Sequence, residues 1–428
     1  MSKPAIRPQR KVTRRILAFR VIVVLLVTLI SSEIALRIGF AVFRPNLNVQ
    51  NLTVQQVDVM YDNITERQKA RPNVLHPYVG SVIDPTRNPK CNAYGFWQID
   101  GPLLKRSPNT VIVGITGGSV ARDLCTLSAE AIRTSLSHRL PGKEIRIVCL
   151  AQEGFREPQL AMTLAYFQTL GAEFDVIVSL SGFNEAALHP AESHADALWI
   201  GYPRDWDLRL RDTEDHDVNR LILEGQTIRM KRTAWAARAY QFRHIQLLTI
   251  HGIWLAIDSV YRTKTDEIAT QLMASRHRIV NRYANLGPSV RYESAETRRD
   301  AQCDMWCGGA RQLQRLCRSI DAKFLLCLQP NLHEGSEKVL TEEEAKIKRV
   351  GTPYRQWVEN NYPYFAAAGA ALQTEGIAFF DLRKLYDDVS STVYRDECCH
   401  FNQGGNDLLA HRIAELIEGE LRGQEPGD

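Results

Sequence analysis

From Thr110 onward the chain alternates short β-rich runs with longer helical patterns, and that rhythm leaves few folds open. The runs are Val111 to Thr116, Ile145 to Ala151, Val176 to Leu180, Phe324 to Leu328 and Ile377 to Leu382. Helical patterns cover Leu160 to Leu170, Gly309 to Ile320, Gln356 to Thr374 and Asn406 to Leu421. Strands separated by helices predict a parallel sheet covered on both faces, which gathers its chemistry at the carboxyl ends of its strands. Ala186 to Asp321 separates the third run from the fourth, far more than a crossover requires, so a helical insertion is expected at about 186–321.

Three segments fall where such a sheet would carry a site: Gly117-Gly118-Ser119-Val120, Ser181-Gly182-Phe183-Asn184-Glu185, and Asp396-Glu397-Cys398-Cys399-His400-Phe401-Asn402. They supply a hydroxyl nucleophile, an amide donor for a developing oxyanion, and a histidine base with carboxylates beside it, the parts of an acyl-transfer site. Taken singly each has a plainer role. Ser119 could cap a helix, Asn184 could close a strand on its own backbone, and His400 could be a surface residue. Their convergence on one sheet edge favours the chemical reading.

The formal charge of +4 is concentrated at the start. Seven basic residues from Lys3 to Arg20 contribute +7 before the first acid, Glu33, so the remainder carries −3. A body so nearly neutral gives no electrostatic reason to expect nucleic acid, which normally asks for a basic face on the domain itself. The basic opening (1–15) runs into an apolar segment (16–43), continuous from Val21 to Ile30 apart from Thr28. The uncharged core of that segment is shorter than the roughly 20 residues of a span. A transmembrane reading therefore needs Arg20 to snorkel and Glu33 to pair with Arg37 at i,i+4. An uncleaved anchor with a cytoplasmic N-terminus and an outward-facing body is expected from the positive-inside rule. A cleaved signal peptide is the alternative, although no small-x-small site follows the run.

Residues 44–105 carry turn signals without periodicity and read as a stalk and irregular lead-in to a domain at 106–422, with a polar tail at 423–428. Within the insertion, no acid occurs from Gly225 to Ile257, while Arg229, Lys231, Arg232, Arg238 and Arg243 accompany Trp235, Phe242 and Trp254. Such a helix can lie on a membrane surface or bind an anionic partner, and a lid packed on the domain is the plainer expectation. Cys149 and Cys327 sit in strand patterns and are expected as buried apolar residues. Cys303, Cys307, Cys398 and Cys399 match no common zinc spacing, so neither metal nor cofactor is expected. A bridge from Cys398 or Cys399 to Cys125, Cys303 or Cys307 is one way to hold the histidine loop.

Over about residues 75 to 420, these blocks resemble the SGNH (GDSL-like) hydrolase superfamily in its membrane-anchored bacterial form. Gly117-Gly118-Ser119 resembles the nucleophile block, with Gly118 in place of the more familiar acid. Gly154 resembles the glycine whose N–H lines the oxyanion hole, Asn184 the oxyanion asparagine, and His400 the base before Gly404-Gly405-Asn406. His76-Pro77-Tyr78-Val79-Gly80, Asn92-Ala93-Tyr94-Gly95-Phe96 and Leu328-Gln329-Pro330 look like segments of exported members. The resemblance implies a flavodoxin-like three-layer α/β/α fold with catalytic Ser119 and His400, and an oxyanion hole from Ser119, Gly154 and Asn184. The family spacing favours Glu397 as the acid, with Asp396 one residue further back as the alternative.

The implied activity is a serine esterase or acyltransferase working on O-acyl, foremost O-acetyl, groups of an envelope or secreted polysaccharide. Its expected partners are the membrane, an acylated glycan or other ester substrate, and envelope polysaccharide machinery. A rival class is a non-catalytic scaffold or glycan-binding component of an envelope export complex that keeps the fold without turnover.

Overall fold

The computed structural model describes residues 9–43, 73–192, 199–204, 206, 215–242, 247–275 and 292–423, with side chains before Ile16 left aside. The basic side chains ahead of Ile16, the stalk before Asn73, Arg243 and the tail after Gly423 lie outside the described residues. The chain forms two compact units, Met1–Ala70 with Thr213–Ser275 and Arg71–Asp212 with Arg276–Asp428.

The first unit contains helices α1 (Gln9–Phe43), α5 (His216–Gln241) and α6 (Leu248–Ala274). Its α1 is the one helix among the described residues long and apolar enough to cross a membrane, over Ile16–Phe43. The ion pair expected on that helix forms, with Arg37 Nε donating to Glu33 Oε1 at 2.7 Å. Helix α5 is begun by Asp215, whose carboxylate accepts the N–H groups of Asp217 and Val218 and so replaces missing intrahelical partners. Of the aromatic residues on α5, Trp235 finds its partner within the same unit. Trp235 stacks on Trp254 of α6 at 6.5 Å between ring centroids.

The second unit opens with an antiparallel hairpin of β1 (Asn73–His76) and β2 (Gly80–Ile83). Its main sheet is wholly parallel, with strands β3 (Thr110–Gly117), β4 (Glu144–Cys149), β5 (Val176–Ser181), β6 (Lys323–Leu328) and β7 (Ala378–Asp381) in the order β4-β3-β5-β6-β7. All five runs anticipated from the sequence become strands. Every residue of β5 is buried, Ser179 and Ser181 included, because both faces of a parallel sheet are covered.

The covering helices are α2 (Ser119–Arg139), α3 (Gln159–Thr169), α4 (Phe183–Glu192), α7 (Ala295–Ser319), α8 (Glu342–Val350), α9 (Arg355–Thr374) and α10 (Gln403–Arg422). The β3-to-β4 crossover steps one way across the sheet and the later ones step the other way. Right-handed crossovers then place α2 on one face and α3, α7 and α9 on the opposite one. Helix α10 packs along α2, and Leu136 of α2 and Leu409, Ile413 and Leu416 of α10 are fully buried. Each such side chain contributes about 1.5–3 kcal/mol on burial.

The direction of strand addition reverses at β3. The loops leaving β3, β4 and β5 therefore meet beside one another outside the carboxyl ends of the strands, where an open α/β sheet binds ligands. The expected insertion, 186–321, is divided between the two units. Residues 213–275 group with α1, while α7 packs on α3, α4 and α9.

The lead-in is more ordered than its turn-rich sequence suggests. Asn92 Oδ1 accepts the N–H groups of Tyr94 and Phe96 to make a tight turn, and Phe96 packs its edge on Phe155. Two glutamines flanking that loop reach back to it: Gln152 Nε2 donates to Gly95 O and Gln159 Nε2 to Val79 O, both at 2.7 Å. The resemblance blocks at His76–Gly80 and Asn92–Phe96 thus brace the loop that carries Gly154.

Candidate active site

Ser119 is the first residue of α2 and is partly exposed, at the end of a strand that is otherwise buried. Gly117 turns the chain there at φ +146°, and a Cβ on it would lie 2.1 Å from Leu180 O. Neither the angle nor the space admits another residue. As the first helical residue, Ser119 has an N–H without an intrahelical acceptor, at the positive end of the helix.

His400 Nε2 lies 2.7 Å from Ser119 Oγ, and His400 Nδ1 lies 2.6 Å from Asp396 Oδ2. With Asp396 ionised, Nδ1–H donates to the carboxylate and Nε2 accepts the serine proton, the tautomer a general base requires. The other carboxylate oxygen, Oδ1, accepts the N–H groups of Cys398, Cys399 and His400 at 3.1, 3.2 and 3.2 Å. Burial pushes the Asp396 pKa up, but the bonds from the His400 ring, its charge and the loop N–H groups outweigh that and hold it below the ordinary value.

The sequence preference for Glu397 as the acid is corrected. Its side chain is exposed, and what it offers the site is its carbonyl, 2.9 Å from His333 Nε2. The loop winds tightly around Oδ1 of Asp396, so the aspartate at i−4 faces the ring while the residue at i−3 is turned outward. His333 itself escaped sequence reading. It lies five residues after Leu328 in the block Leu328-Gln329-Pro330, and Asn331 Oδ1 holds its N–H at 2.8 Å.

Asn184 opens α4 and is buried. Its Nδ2 donates to Phe155 O at 2.7 Å, which ties the loop after β5 to the one after β4 and leaves the second amide hydrogen for an oxyanion. The same amide lies against Gly118, where a Cβ would sit 2.1 Å from Nδ2. That contact accounts for the glycine at 118: the space beside it belongs to Asn184. Gly154 occupies the neighbouring turn at φ +73° with the Arg204 side chain over it. The structure therefore brings Ser119, Asn184, Asp396, His400 and the Gly154 loop to one sheet edge and leaves the Glu397 carboxylate apart.

Behind the site lies a pair of buried acids that sequence reading assigned no such role. Glu185 Oε2 accepts Gly182 N–H at 2.9 Å and Oε1 accepts Glu157 N–H at 3.1 Å, so its carboxylate pins the loop on which Asn184 sits. Gln302 of α7 donates to the Glu185 carbonyl at 2.6 Å. Burial first, and the nearby Glu185 second, raise the Glu157 pKa well above the carboxylate range, while burial also raises Glu185. A folded-state pKa raised above the unfolded one keeps the proton on, so this contribution to stability is full at acid pH. It declines as pH rises past the ordinary glutamate value. Glu157→Gln should therefore flatten the fall in Tm between about pH 5 and pH 8, and an unchanged slope would show that the proton is lost at ordinary pH.

All nine cysteines are free thiols. Cys125 is fully buried and faces Cys149, and Cys303 faces Cys307 one helical turn away, so neither pair reaches the histidine loop as the bridge expectation required. The loop's restraint is Asp396 instead. Cys398, Cys399 and His400 place their ligand atoms within 4.8 Å of one another, but both nitrogens of His400 already have partners in Asp396 and Ser119.

No protein-family model matches the sequence, and no curated protein matches it. Among solved structures, a GDSL-like lipase from Bacteroides thetaiotaomicron aligns over 72% of this chain and 87% of its own at 10% identity, with a TM-score of 0.32. That likeness is too slight to bear on fold or activity.

Proposed function

We propose that this protein is a membrane-tethered, outward-facing serine esterase or O-acyltransferase of the SGNH type, acting on O-acyl, foremost O-acetyl, groups of an envelope or secreted polysaccharide. The observation that carries the reading is the continuous chain Ser119 Oγ, His400 Nε2, His400 Nδ1 and Asp396 Oδ2, with contacts of 2.7 and 2.6 Å.

In this reading His400 takes the Ser119 proton as Oγ attacks the ester carbonyl. The oxyanion is met by the N–H groups of Ser119 and Gly154 and by Asn184 Nδ2. His400 then gives its proton to the departing sugar oxygen as the C–O bond breaks, so that the sugar leaves as a hydroxyl and the acyl-enzyme forms. Water or a second hydroxyl, deprotonated by the same histidine, releases the acyl group as acid or as a new ester. The polysaccharide assignment is supported by the outward orientation that the N-terminal charge implies.

A fluorophosphonate probe should phosphonylate Ser119, and acetate should be released from O-acetylated glycan. Absence of any adduct would return the chain to the scaffold reading. Asn184→Ala should lower kcat by about 10²–10³. Gly118→Ala should approach the same loss, because its methyl displaces the Asn184 amide. A Gly118→Ala enzyme with full turnover would mean that the amide is not an oxyanion donor.

A further inference from the structure

Helix α6 begins at Leu248 with no side-chain cap of its own, since Leu247 occupies the capping position. The missing acceptor comes from α1. Glu33 is 8% exposed, and its Oε2 accepts both the N–H and the Oγ1–H of Thr249 at 3.0 Å. On α1, Ile30 and Val27 before Glu33 and Ile34, Ile38, Val42 and Phe43 after it are apolar and exposed, and Arg37, one turn on, pairs with the other oxygen of the same carboxylate. Ten residues separate Glu33 from Phe43, about 15 Å of helix. The first turn of α6 is thus fastened to α1 well inside its apolar length.

At that level α6 presents a face suited to hydrocarbon. Ile250, Ile253, Leu255 and Val260 are 37, 54, 38 and 55% exposed, and Phe242 at the end of α5 is 59% exposed. Between Leu248 and Tyr261 the only acid or base other than buried His251 is Asp258, itself buried and held by both Nε and Nη2 of Arg232 at 2.8 and 3.0 Å. The two indoles are also satisfied internally. Trp235 Nε1 donates to Trp254 O at 3.2 Å, and Trp254 Nε1 donates to Trp235 O at 3.3 Å. Internal satisfaction of polar groups is what a segment without water requires. On α5, Arg229, Lys231 and Arg238 are exposed and no acid intervenes from Gly225 to Ile257, a composition suited to phospholipid headgroups.

We infer that the α5–α6 hairpin is an interfacial membrane element: its apolar end, Phe242 together with Leu248 through Val260, is seated in the phospholipid of the outer leaflet beside α1, with Arg229, Lys231 and Arg238 at the headgroups. The inference rests on α1 crossing the membrane. Glu33, a costly residue in a span, is retained because it caps the helix that lies against it.

The test uses the full chain in bilayer discs of phosphatidylcholine and phosphatidylglycerol containing a phosphatidylcholine with a diazirine on its acyl chain. After illumination, adducts are mapped by mass spectrometry. Peptides from Leu248–Val260 should carry adducts at a yield at least about tenfold above peptides from α10, and comparable to those from α1. Adducts on α1 with α6 no more labelled than α10 would overturn the hairpin proposal and leave the span intact, so that the apolar face is covered by protein. Absence of adducts from α1 would overturn the span itself, and the hairpin proposal with it.

Discussion

Ser119→Ala and His400→Ala should each lower kcat for an aryl acetate by about 10⁶-fold, because removal of either partner disables the same chemical unit. The double variant should lose little more than either single one, since nucleophile and base act through one proton. Tm should change little. The bond between the two is partly exposed, and a hydrogen bond of that kind contributes about 1 kcal/mol net. Turnover at the wild-type rate in either variant would remove the serine mechanism, whatever the fold.

Asp396→Asn should lower kcat about 10⁴-fold with the loop in place. The asparagine can keep its carbonyl oxygen toward the N–H groups of Cys398, Cys399 and His400, which turns its NH₂ toward His400 Nδ1. The ring must then accept at Nδ1 and carry its proton on Nε2, facing Ser119 with the wrong tautomer. Glu397→Gln should leave kcat unchanged, because that side chain is exposed and its contribution is a backbone carbonyl. The reverse ranking would move the acid to Glu397 and require the loop to rewind.

The contrast between these two acids marks where sequence reading stops. Ser119, Asn184 and His400 were legible because each follows a strand or precedes a helix, and the alternation that predicts the sheet also predicts which edge its loops share. Which of two adjacent carboxylates faces the ring depends on how an irregular loop winds around Asp396, and spacing alone favours the other one. Glu157 and Glu185 were illegible for a related reason: an acid is expected at the surface, and its burial depends on Gly309, 152 positions after Glu157, leaving room for the Glu157 carboxyl. Trp235, Ala239 and Phe242, with the bases around them, read from the sequence as an amphipathic stripe. What that stripe packs on is a long-range contact, and no periodicity reports it.

The doubled use of Asp396 has a consequence for behaviour in acid. One oxygen gathers three loop amides and the other steadies the imidazole, so a single protonation loosens both. Because its folded-state pKa is depressed, the stabilisation is complete above the ordinary aspartate value and is lost as pH falls through the lower one. Amide hydrogen exchange at Cys398, Cys399 and His400 should accelerate together over that interval, and the imidazole should lose its preferred orientation in the same titration. Disorder of the histidine loop and failure of proton transfer are then one event seen by two probes, and in the proposed reading the response to acid begins as a local melting confined to five residues.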